Sequence, residues 1–349
     1  MTGNNPLLEV VIPNWNGRNL LKICLESLCQ QTYRNFRILV VDNGSEDGSV
    51  EFINQYYPDV AVISLSANTG FSHAVNIGIN SGSAPWILLL NNDVEVARDC
   101  LEMLVRGIER YPEYHFFSLK MVNYHHRELL DGAGDAVLRG GAGYRIGTME
   151  HDGGFYSVDR ESFGGCGGAV LYSREFFARA GSFDEDFFAY LEDVDLNLRA
   201  RRLGLCCRYL ASAIVYHMGS ATTGTKFNPL TIRLSTRNSI YVLAKNYSPN
   251  MLLRCLGPIL VYQLMWFAFC VKKRMVRPYL LGVGEAIRNI PLFLRKRRAF
   301  CKRDDLLSEG KFLALVAASE DSAIDSIMAR RKENGKGNTL LKIYKKLFL

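Results

Sequence analysis

Residues 36–45 read Phe-Arg-Ile-Leu-Val-Val-Asp-Asn-Gly-Ser, a short apolar run that ends in turn-forming residues. Three similar apolar runs occur in the first ninety residues: Leu7–Ile12, Val60–Leu65 and Trp86–Leu90. Runs of this length, bounded by polar residues, predict buried strands. The first strand of this set to be followed by acidic and amide residues is Phe36–Val41.

Stretches of helical character separate these runs. They are Leu20–Gln30, Gly48–Tyr56 with Ser45 and Asp47 as candidate N-caps, and Ser72–Ser81. Strands that alternate with helices predict βαβ units and a mostly parallel sheet in an α/β fold. Ligands of such sheets bind beyond the carboxyl ends of the strands. Polar residues stand there in three places: Pro13–Gly17, Asp42–Ser45 and Asn91–Asp93.

Two carboxylates directly follow predicted strands. Asp42 is placed to accept hydrogen bonds from a nucleobase or ribose, although Asp-Asn-Gly-Ser is also ordinary turn chemistry. Asp93, after the amides of Asn91 and Asn92, suits a hard divalent cation that also binds diphosphate, because Mg²⁺ prefers few protein oxygens plus phosphate. The alternative for Asp93 is a turn that ends the strand.

The segment Asn68-Thr-Gly-Phe-Ser-His-Ala-Val-Asn76 places small and amide residues at the start of a predicted helix. Backbone N–H groups at a helix start suit phosphate or ribose oxygens. An ordinary capped helix explains the segment equally well.

An acidic block reads Phe183-Asp-Glu-Asp-Phe-Phe-Ala-Tyr-Leu-Glu-Asp-Val-Asp195. A helix is predicted from about Glu192 to Leu203, with Gly204 as its end and with Leu196, Ala200 and Leu203 on one apolar face. The helix dipole favours ionised carboxylates at its start, so Glu192 or Asp193 could accept a proton from a hydroxyl. The alternative is that the acids only cap the helix. For Asp195 we favour this alternative, with pairing to Arg199.

For other polar residues, a functional role requires a ligand such as a metal ion or a diphosphate. His217 ends the apolar run Ala213–Tyr216; a lone histidine is commonly structural, and a role here requires a metal that needs a nitrogen ligand. Arg233 and Arg237-Asn238, on a predicted helix, could contact a diphosphate or could be solvated charges. The Gly-rich residues 125–168 are long for a connection, which favours a binding loop or flap.

Charge is unevenly distributed along the chain. Residues 250–349 hold 20 Lys/Arg and 8 Asp/Glu, against 22 and 27 in residues 1–249. The 17 residues Cys255–Val271 carry no formal charge and have basic residues on both sides. This length is the lower limit for a membrane span. Basic flanks favour instead a segment that lies in or dips into the interface of an anionic membrane. The alternative is a buried helix.

These patterns divide the chain into a catalytic domain, residues 1–249, and a basic, apolar helical region that associates with membrane, residues 250–349. Nucleic acid is disfavoured as a partner because the basic residues alternate with long apolar runs. The nine cysteines form no Cys-x-x-Cys pair, and the N-terminal apolar run is too short for a signal peptide, which together favour the cytoplasmic side.

In this order, the motifs resemble those of family 2 glycosyltransferases, and within them the rhamnosyltransferase-like group. The resemblance covers about residues 7 to 247 and rests on these stretches: Val10–Gly17, Val41–Ser49, Asn68–Phe71 with Asn76, Leu88–Val94, Asp131–Gly134, Gly164–Gly168, Phe183–Asp195, His217 and Arg237-Asn238.

The resemblance implies a GT-A fold and an inverting, single-displacement transfer. Asp193 would be the general base, with Glu192 beside it at the acceptor. Asp93 and His217 would bind Mg²⁺ or Mn²⁺, and Asn91 replaces the first acid of the family's Asp-x-Asp motif. The remaining donor-site candidates are Pro13, Asn14, Asp42, Asn68, Gly70, Asn76, Asn91, Asn92 and Arg237.

The function expected from this resemblance is transfer of a sugar to a polyprenyl-diphosphate-linked glycan at the cytoplasmic face of the membrane, for cell-surface polysaccharide. Rhamnose from dTDP-rhamnose is the leading donor, with a UDP-hexose or UDP-GlcNAc as an alternative. An inert nucleotide-sugar-binding scaffold is the alternative from another class. The Gln-x-x-Arg-Trp motif of processive synthases is absent, since Gln263-Leu-Met-Trp266 lacks the arginine, which favours addition of one or few sugars.

Overall fold

The computed structural model describes residues 6–219 and 227–349. Twelve strands occur in this part of the chain: β1 Leu8–Asn14, β2 Phe36–Asp42, β3 Ala61–Ser64, β4 Trp86–Leu90, β5 Val94–Val96, β6 Phe116–Asn123, β7 Leu130–Ala133, β8 Asp135–Leu138, β9 Ala142–Arg145, β10 Arg160–Ser162, β11 Ala169–Ser173 and β12 Cys207–His217. The α-helices are α1 Arg18–Cys29, α2 Ser49–Tyr56, α3 Phe71–Ser81, α4 Cys100–Arg110, α5 Arg174–Ala180, α6 Glu192–Arg202, α7 Pro229–Asn246, α8 Pro249–Arg254, α9 Leu256–Lys272, α10 Val276–Phe300, α11 Glu309–Glu333 and α12 Thr339–Phe348.

A ten-stranded mixed sheet forms the centre, in the order β10-β12-β6-β11-β4-β1-β2-β3, with β5 added to β12 and β7 to β6. The four predicted strands lie next to one another as β4-β1-β2-β3 and run parallel, as expected. The antiparallel β11 joins them to the second half of the sheet. The α/β prediction is therefore confirmed.

Helices cover both faces of this sheet because successive strand residues point to opposite sides. Val10 and Ile12 of β1 pack with α1, α2 and α4. Val11, between them, packs with α3, α5 and α6.

The predicted helices are confirmed, with small shifts at their ends. Helix α6 begins at Glu192 and ends before Gly204, whose φ of 74° is the left-handed conformation that glycine adopts easily. The N-cap prediction for α2 was wrong for both Ser45 and Asp47, because Gly48 is the cap residue. Asp47 still accepts the Ser49 N–H, at 3.2 Å.

The Gly-rich segment is more ordered than a loop. Residues 125–168 contain the strands β7 to β10, and β8 pairs with β9 as a hairpin. This hairpin packs against α11, with a buried ion pair between Arg139 and Glu320. The segment is thus a small β insertion supported by the C-terminal part of the chain.

The C-terminal helices partly return to the sheet domain. Helix α10 packs on α7, and α11 packs on β8. Helix α9 corresponds to the apolar run Cys255–Val271, and its only fully buried side chains are Pro258 and Cys270, so it is not the buried helix of the alternative interpretation. No helix among residues 6–219 and 227–349 is both long and apolar enough to cross a bilayer. The boundary at residue 249 stays a prediction.

Candidate active site

Asp93 and His217 come together at the carboxyl edge of the sheet. Strand β5, which follows Asp93, pairs antiparallel with β12 so that Val94 lies opposite His217. The imidazole Nε2 consequently lies 3.4 Å from Oδ1 of Asp93, and both side chains are buried. The pairing of β5 with β12 therefore brings together two side chains that are far apart in the sequence.

The second imidazole nitrogen fixes the ring. His217 donates its Nδ1–H to Oδ2 of Asp131 at 2.8 Å, which leaves the lone pair of Nε2 facing the Asp93 carboxylate. Apart from this contact, no described residue gives Asp93 Oδ1 a hydrogen bond. Two acceptors that face each other need a proton or a cation between them, and a carboxylate-held histidine is the usual arrangement at metal centres. The pair therefore fits a divalent cation.

The charge state of His217 agrees with this geometry. Burial lowers its pKa, but hydrogen bonds to Asp131 and Asp93 outweigh burial, so the net shift of the pKa is upward. A cation must displace this proton, so we expect metal affinity to rise with pH.

Asp131 was quoted in the sequence motifs without a role, and its carboxylate supplies the first prediction. We expect Asp131→Asn to weaken Mn²⁺ binding about 10- to 100-fold, because the histidine loses the acceptor that orients it. Isothermal titration with MnCl₂ measures the effect. Asp99→Asn, at an exposed aspartate, is the matched control, and an unchanged Mn²⁺ affinity in Asp131→Asn would contradict the assignment.

Asp193 stands at the start of α6 with its carboxylate held in place. The Gly167 N–H donates to Oδ2 at 3.1 Å, and the Val194 N–H lies 2.8 Å from Oδ1. The side chain is only partly buried, so a substrate hydroxyl can approach it. An oriented, accessible carboxylate at a helix start suits a general base.

Glu192 differs from its neighbour. It is buried, and its Oε2 has no hydrogen-bond partner among the described residues. Burial and the adjacent charge of Asp193 raise the pKa of Glu192 to about 8. This upward shift favours the protonated form of Glu192, which can donate a hydrogen bond.

Asp135 and Cys166 surround the base, and the sequence patterns had singled out neither side chain. One ligand-type atom from each of Asp135, Cys166 and Asp193 lies within 4.8 Å of the other two. Burial raises the pKa of the Cys166 thiol strongly, and a protonated thiol is a poor metal ligand. Asp93 and His217 are thus the better candidate metal site.

Arg145 connects the two groups of acids. Its guanidinium forms an ion pair with the Asp131 carboxylate that holds His217. The carboxylates of Asp135 and Asp193 also lie within electrostatic range of this guanidinium. About a third of its side chain remains exposed. Arg145 is therefore a fixed cation between the candidate metal site and the candidate base, at the end of a strand within the Gly-rich segment.

The other acids of the Phe183–Asp195 block are engaged in structural contacts. Asp195 accepts hydrogen bonds from Lys245 at 2.7 Å and from Arg199 at 2.9 Å, which confirms the predicted pair with Arg199. Asp184 also binds Lys245, and both Asp184 and Asp186 pair with Lys296. These ion pairs anchor the block to α7 and α10 and leave Glu192 and Asp193 for chemistry.

The turn before α6 has an unusual backbone. Phe188, Tyr190 and Leu191 all have φ between 64° and 69°, the left-handed region that side chains disfavour. The buried amide of Asn238 donates to the carbonyls of Phe187, Ala189 and Tyr190 and so holds this turn. Such strain persists where surrounding contacts enforce it, commonly at active sites.

Arg237 has a different environment from the one predicted. Its guanidinium donates to the carbonyls of Phe187 at 2.7 Å and Asp186 at 3.3 Å, and lies 3.7 Å from Glu285. The structure thus uses this arginine to support the strained turn, because that turn exposes carbonyls that need donors. These contacts give Arg237 a positioning role, and donor binding by this residue stays a prediction.

The predicted nucleoside side of the site is an interlocked set of amides. Asn92 donates to Asn14 at 2.8 Å, and Asn14 donates to Asp42 at 2.9 Å. Asp42 also accepts the Ser45 N–H, as its turn interpretation requires. The strand ends of β1, β2 and β4 therefore meet as expected, with Pro13 and Asn91 partly buried beside them. Nucleoside binding by this group stays a prediction.

Residues 68–70 are held by hydrogen bonds to Asn43, which the sequence patterns did not single out. The Asn43 side chain donates hydrogen bonds to Oδ1 of Asn68 and to the Gly70 carbonyl. Its own Oδ1 accepts the backbone N–H and the hydroxyl of Thr69. A Cβ at Gly70 would lie 2.6 Å from the Phe188 ring, so the glycine permits the strained turn to approach. Asn76 donates to the Phe183 carbonyl and accepts the Phe183 N–H, so it positions the start of the acidic block. Donor binding by Asn76 stays a prediction.

Comparison with known families and structures agrees with this geometry. The model of glycosyl transferase family 2 matches residues 9–180. The N-acetylglucosaminyl-diphospho-decaprenol L-rhamnosyltransferase of Mycobacterium tuberculosis is 28% identical over 240 residues, which cover 62% of this chain and 78% of that protein.

Two solved structures share the fold at low identity. GalNAc-T7 with UDP, GalNAc and Mn²⁺ superposes with a TM-score of 0.55 at 18% identity, over 69% of this chain and 48% of that one. Residues 1–349 of S. aureus TarS in complex with UDP give 0.53 at 15% identity, over 90% of each chain. The mixed α/β fold is therefore GT-A-like.

Proposed function

Because the chain belongs to glycosyl transferase family 2, we propose that it is an inverting, metal-dependent transferase that moves a sugar from a nucleoside-diphosphate donor to a lipid-linked glycan. One observation carries this proposal: the Asp131 carboxylate holds both Arg145 and the His217 of the Asp93–His217 pair, and Asp193 presents an oriented carboxylate at the start of α6. The name of the mycobacterial relative supports rhamnose as donor sugar and a polyprenyl-diphosphate acceptor.

The proposed chemistry is a single displacement at the anomeric carbon. Asp193 removes the proton from the acceptor hydroxyl as its oxygen attacks C1, and the bond from C1 to the donor diphosphate breaks with inversion. Protonated Glu192 donates a hydrogen bond to the acceptor. No second carboxylate is needed as a nucleophile, unlike in retaining double displacement.

The departing diphosphate gains negative charge as the bond breaks. Arg145 faces this charge from a fixed position, which avoids reorganisation during the reaction. A divalent cation, Mg²⁺ or Mn²⁺, bound by Asp93 and His217 would neutralise the diphosphate oxygens. Asp131 keeps both groups in place because the same carboxylate oxygen binds Arg145 and His217.

A panel of donors tests the proposed function. Purified protein with MnCl₂ or MgCl₂ and lipid extract is given dTDP-rhamnose, UDP-GlcNAc or UDP-glucose, and the products are identified by mass spectrometry. We expect one dominant donor, with rhamnose transferred to a lipid-linked acceptor. If no donor is transferred or hydrolysed with either metal, the inert scaffold replaces the enzyme as the better interpretation.

We also propose that the C-terminal region binds the cytoplasmic face of an anionic membrane. One side of α9 and the end of α8 expose a row of large apolar side chains: Leu253, Leu256, Leu260, Leu264, Phe267 and Val271. Helix α12 exposes Leu340, Ile343 and Leu347, and its Phe348 ring lies against Gly257 of α9. Adjacent apolar faces with basic flanks suit anionic lipid headgroups.

Sedimentation with vesicles tests this membrane proposal. We expect the protein to bind phosphatidylglycerol vesicles and to bind phosphatidylcholine vesicles weakly. Leu260→Glu combined with Leu264→Glu should reduce binding at least tenfold, because each change removes about 1.5 kcal/mol or more of apolar burial. Tyr56→Glu, at an exposed aromatic residue of α2, is the control. Equal binding by the double variant would refute the assignment of α9.

A further inference from the structure

A cavity of about 480 Å³ lies between the β insertion and helix α11. This volume is within the range of about 300–1,000 Å³ that ligand pockets occupy. Helix α11 contributes small and polar residues at helical spacing, and they form one wall: Ser319, Ser322, Asp325, Ser326 and Ala329. The facing wall comes from residues 133–163 of the insertion.

Asp135 links this cavity to the candidate base. It lines the cavity, and its carboxylate belongs to the group within 4.8 Å that includes Asp193. The residue is 7% exposed. A carboxyl group this buried needs hydrogen-bond partners, and a ligand in the cavity that it lines can supply one.

The charged residues of the lining leave no cation available for a phosphate-rich ligand. Asp135, Glu150, Glu161 and Asp325 line the cavity against a single cation, Arg160. The guanidinium of Arg160 is already used, because it donates to the carbonyls of Phe155 and Ala133. Glu161 and Asp325 are paired with Arg201 and Lys345. The lining therefore offers a diphosphate no unpaired cation, whereas its hydroxyl and carboxyl groups can hydrogen-bond a neutral, hydroxyl-rich molecule.

An aromatic side chain, Phe155, and the ion pair of Asp325 lie at the cavity. Phe155 lines the cavity with 65% of its surface exposed, and so offers a flat apolar face to a ligand. Asp325 binds Lys345 at 2.7 Å, which places α12 and its exposed apolar side chains next to the cavity. A ligand that remains attached to membrane lipid could therefore reach the cavity from α12.

We propose that this cavity binds a neutral sugar ring of the acceptor, and that Asp135 hydrogen-bonds this sugar so that a hydroxyl meets Asp193. This inference rests on the proposed function and adds its acceptor site. It also gives the C-terminal region a second role, because α11 forms a wall that selects the acceptor.

Two matched alanines on α11 test the proposal. Ala329 lines the cavity, whereas Ala318, also exposed on α11, does not. Saturation-transfer NMR with methyl glycosides of common neutral sugars measures binding directly. We expect at least one glycoside to bind the wild-type protein, Ala329→Trp to weaken its binding at least tenfold, and Ala318→Trp to leave it unchanged.

Further measurements separate this inference from the proposed function. We expect Asp135→Asn to weaken glycoside binding, and Ser322→Trp to repeat the effect of Ala329→Trp if the latter folds poorly. Excess dTDP or UDP should not displace the glycoside. If no glycoside binds, or if binding survives both tryptophans, the cavity is not the acceptor site. Donor hydrolysis is assayed in the same samples: its absence, with glycoside binding intact, would count against the transferase and not against the cavity.

Discussion

Asp193→Asn is expected to lower kcat by about 10²- to 10⁴-fold, the usual contribution of a positioned general base. The amide keeps the shape of the side chain and can still accept the Gly167 N–H, but it cannot remove a proton from the acceptor. The dissociation constant for the donor nucleotide should stay within about twofold, because Asp93, His217 and Arg145 are unchanged. Steady-state kinetics with the donor identified by the panel, together with titration of its nucleotide, measures both quantities.

The interpretation of that variant depends on its folded state. Asp193 is only partly buried and makes no ion pair among the described contacts, so the free energy of unfolding should change by less than about 1 kcal/mol. Full activity in Asp193→Asn would remove the residue from the role of base. Loss of donor affinity equal to the loss of kcat would instead assign it to donor binding.

Asp195→Asn, two residues further along the helix, is expected to act on stability. Removing this carboxylate leaves Arg199 and Lys245 as buried cations with less compensation, which typically destabilises a protein by about 3–5 kcal/mol. Lys245 retains Asp184 at 2.6 Å, so the lower end of that range applies. Urea denaturation measures the change, with Asp193→Asn as the matched control.

The pH dependence gives a second measurement on the same pair. Burial opposes ionisation of Asp195, but Lys245 and Arg199 outweigh it and lower its pKa to about 2. An unfolded aspartate has a pKa of about 3.9, so the stabilisation is complete above that pH and is lost as pH falls towards 2. The stability difference between wild type and Asp195→Asn should shrink over this window. A difference that is constant with pH would show that the ion pairs do not carry it.

The C-terminal region has contacts with the β insertion that its sequence does not predict. Its charge and apolar runs predicted a membrane surface, and α9 does expose its apolar side chains. The same composition did not reveal that α11 packs on the β8–β9 hairpin, with Ser319 and Ser326 donating and accepting hydrogen bonds across the contact. Such contacts between distant segments leave no periodic pattern in the sequence.

The sequence by itself determined the parallel half of the sheet, because four apolar runs alternate with helices. It also placed Asp42, Asp93 and the Glu192–Asp193 pair at the ends of these elements, since local patterns define where strands and helices begin and end.

Only the tertiary structure decided which charges remain available for chemistry. The pairing of β5 with β12 brings His217 to Asp93, and the β insertion brings Asp131, Arg145 and Asp135 to the same edge. The guanidinium of Arg237 donates to carbonyls of the strained turn. A charged residue has the same appearance in a sequence whether its partner is a substrate, a carbonyl or another side chain, and the packing of distant segments determines which of these it meets.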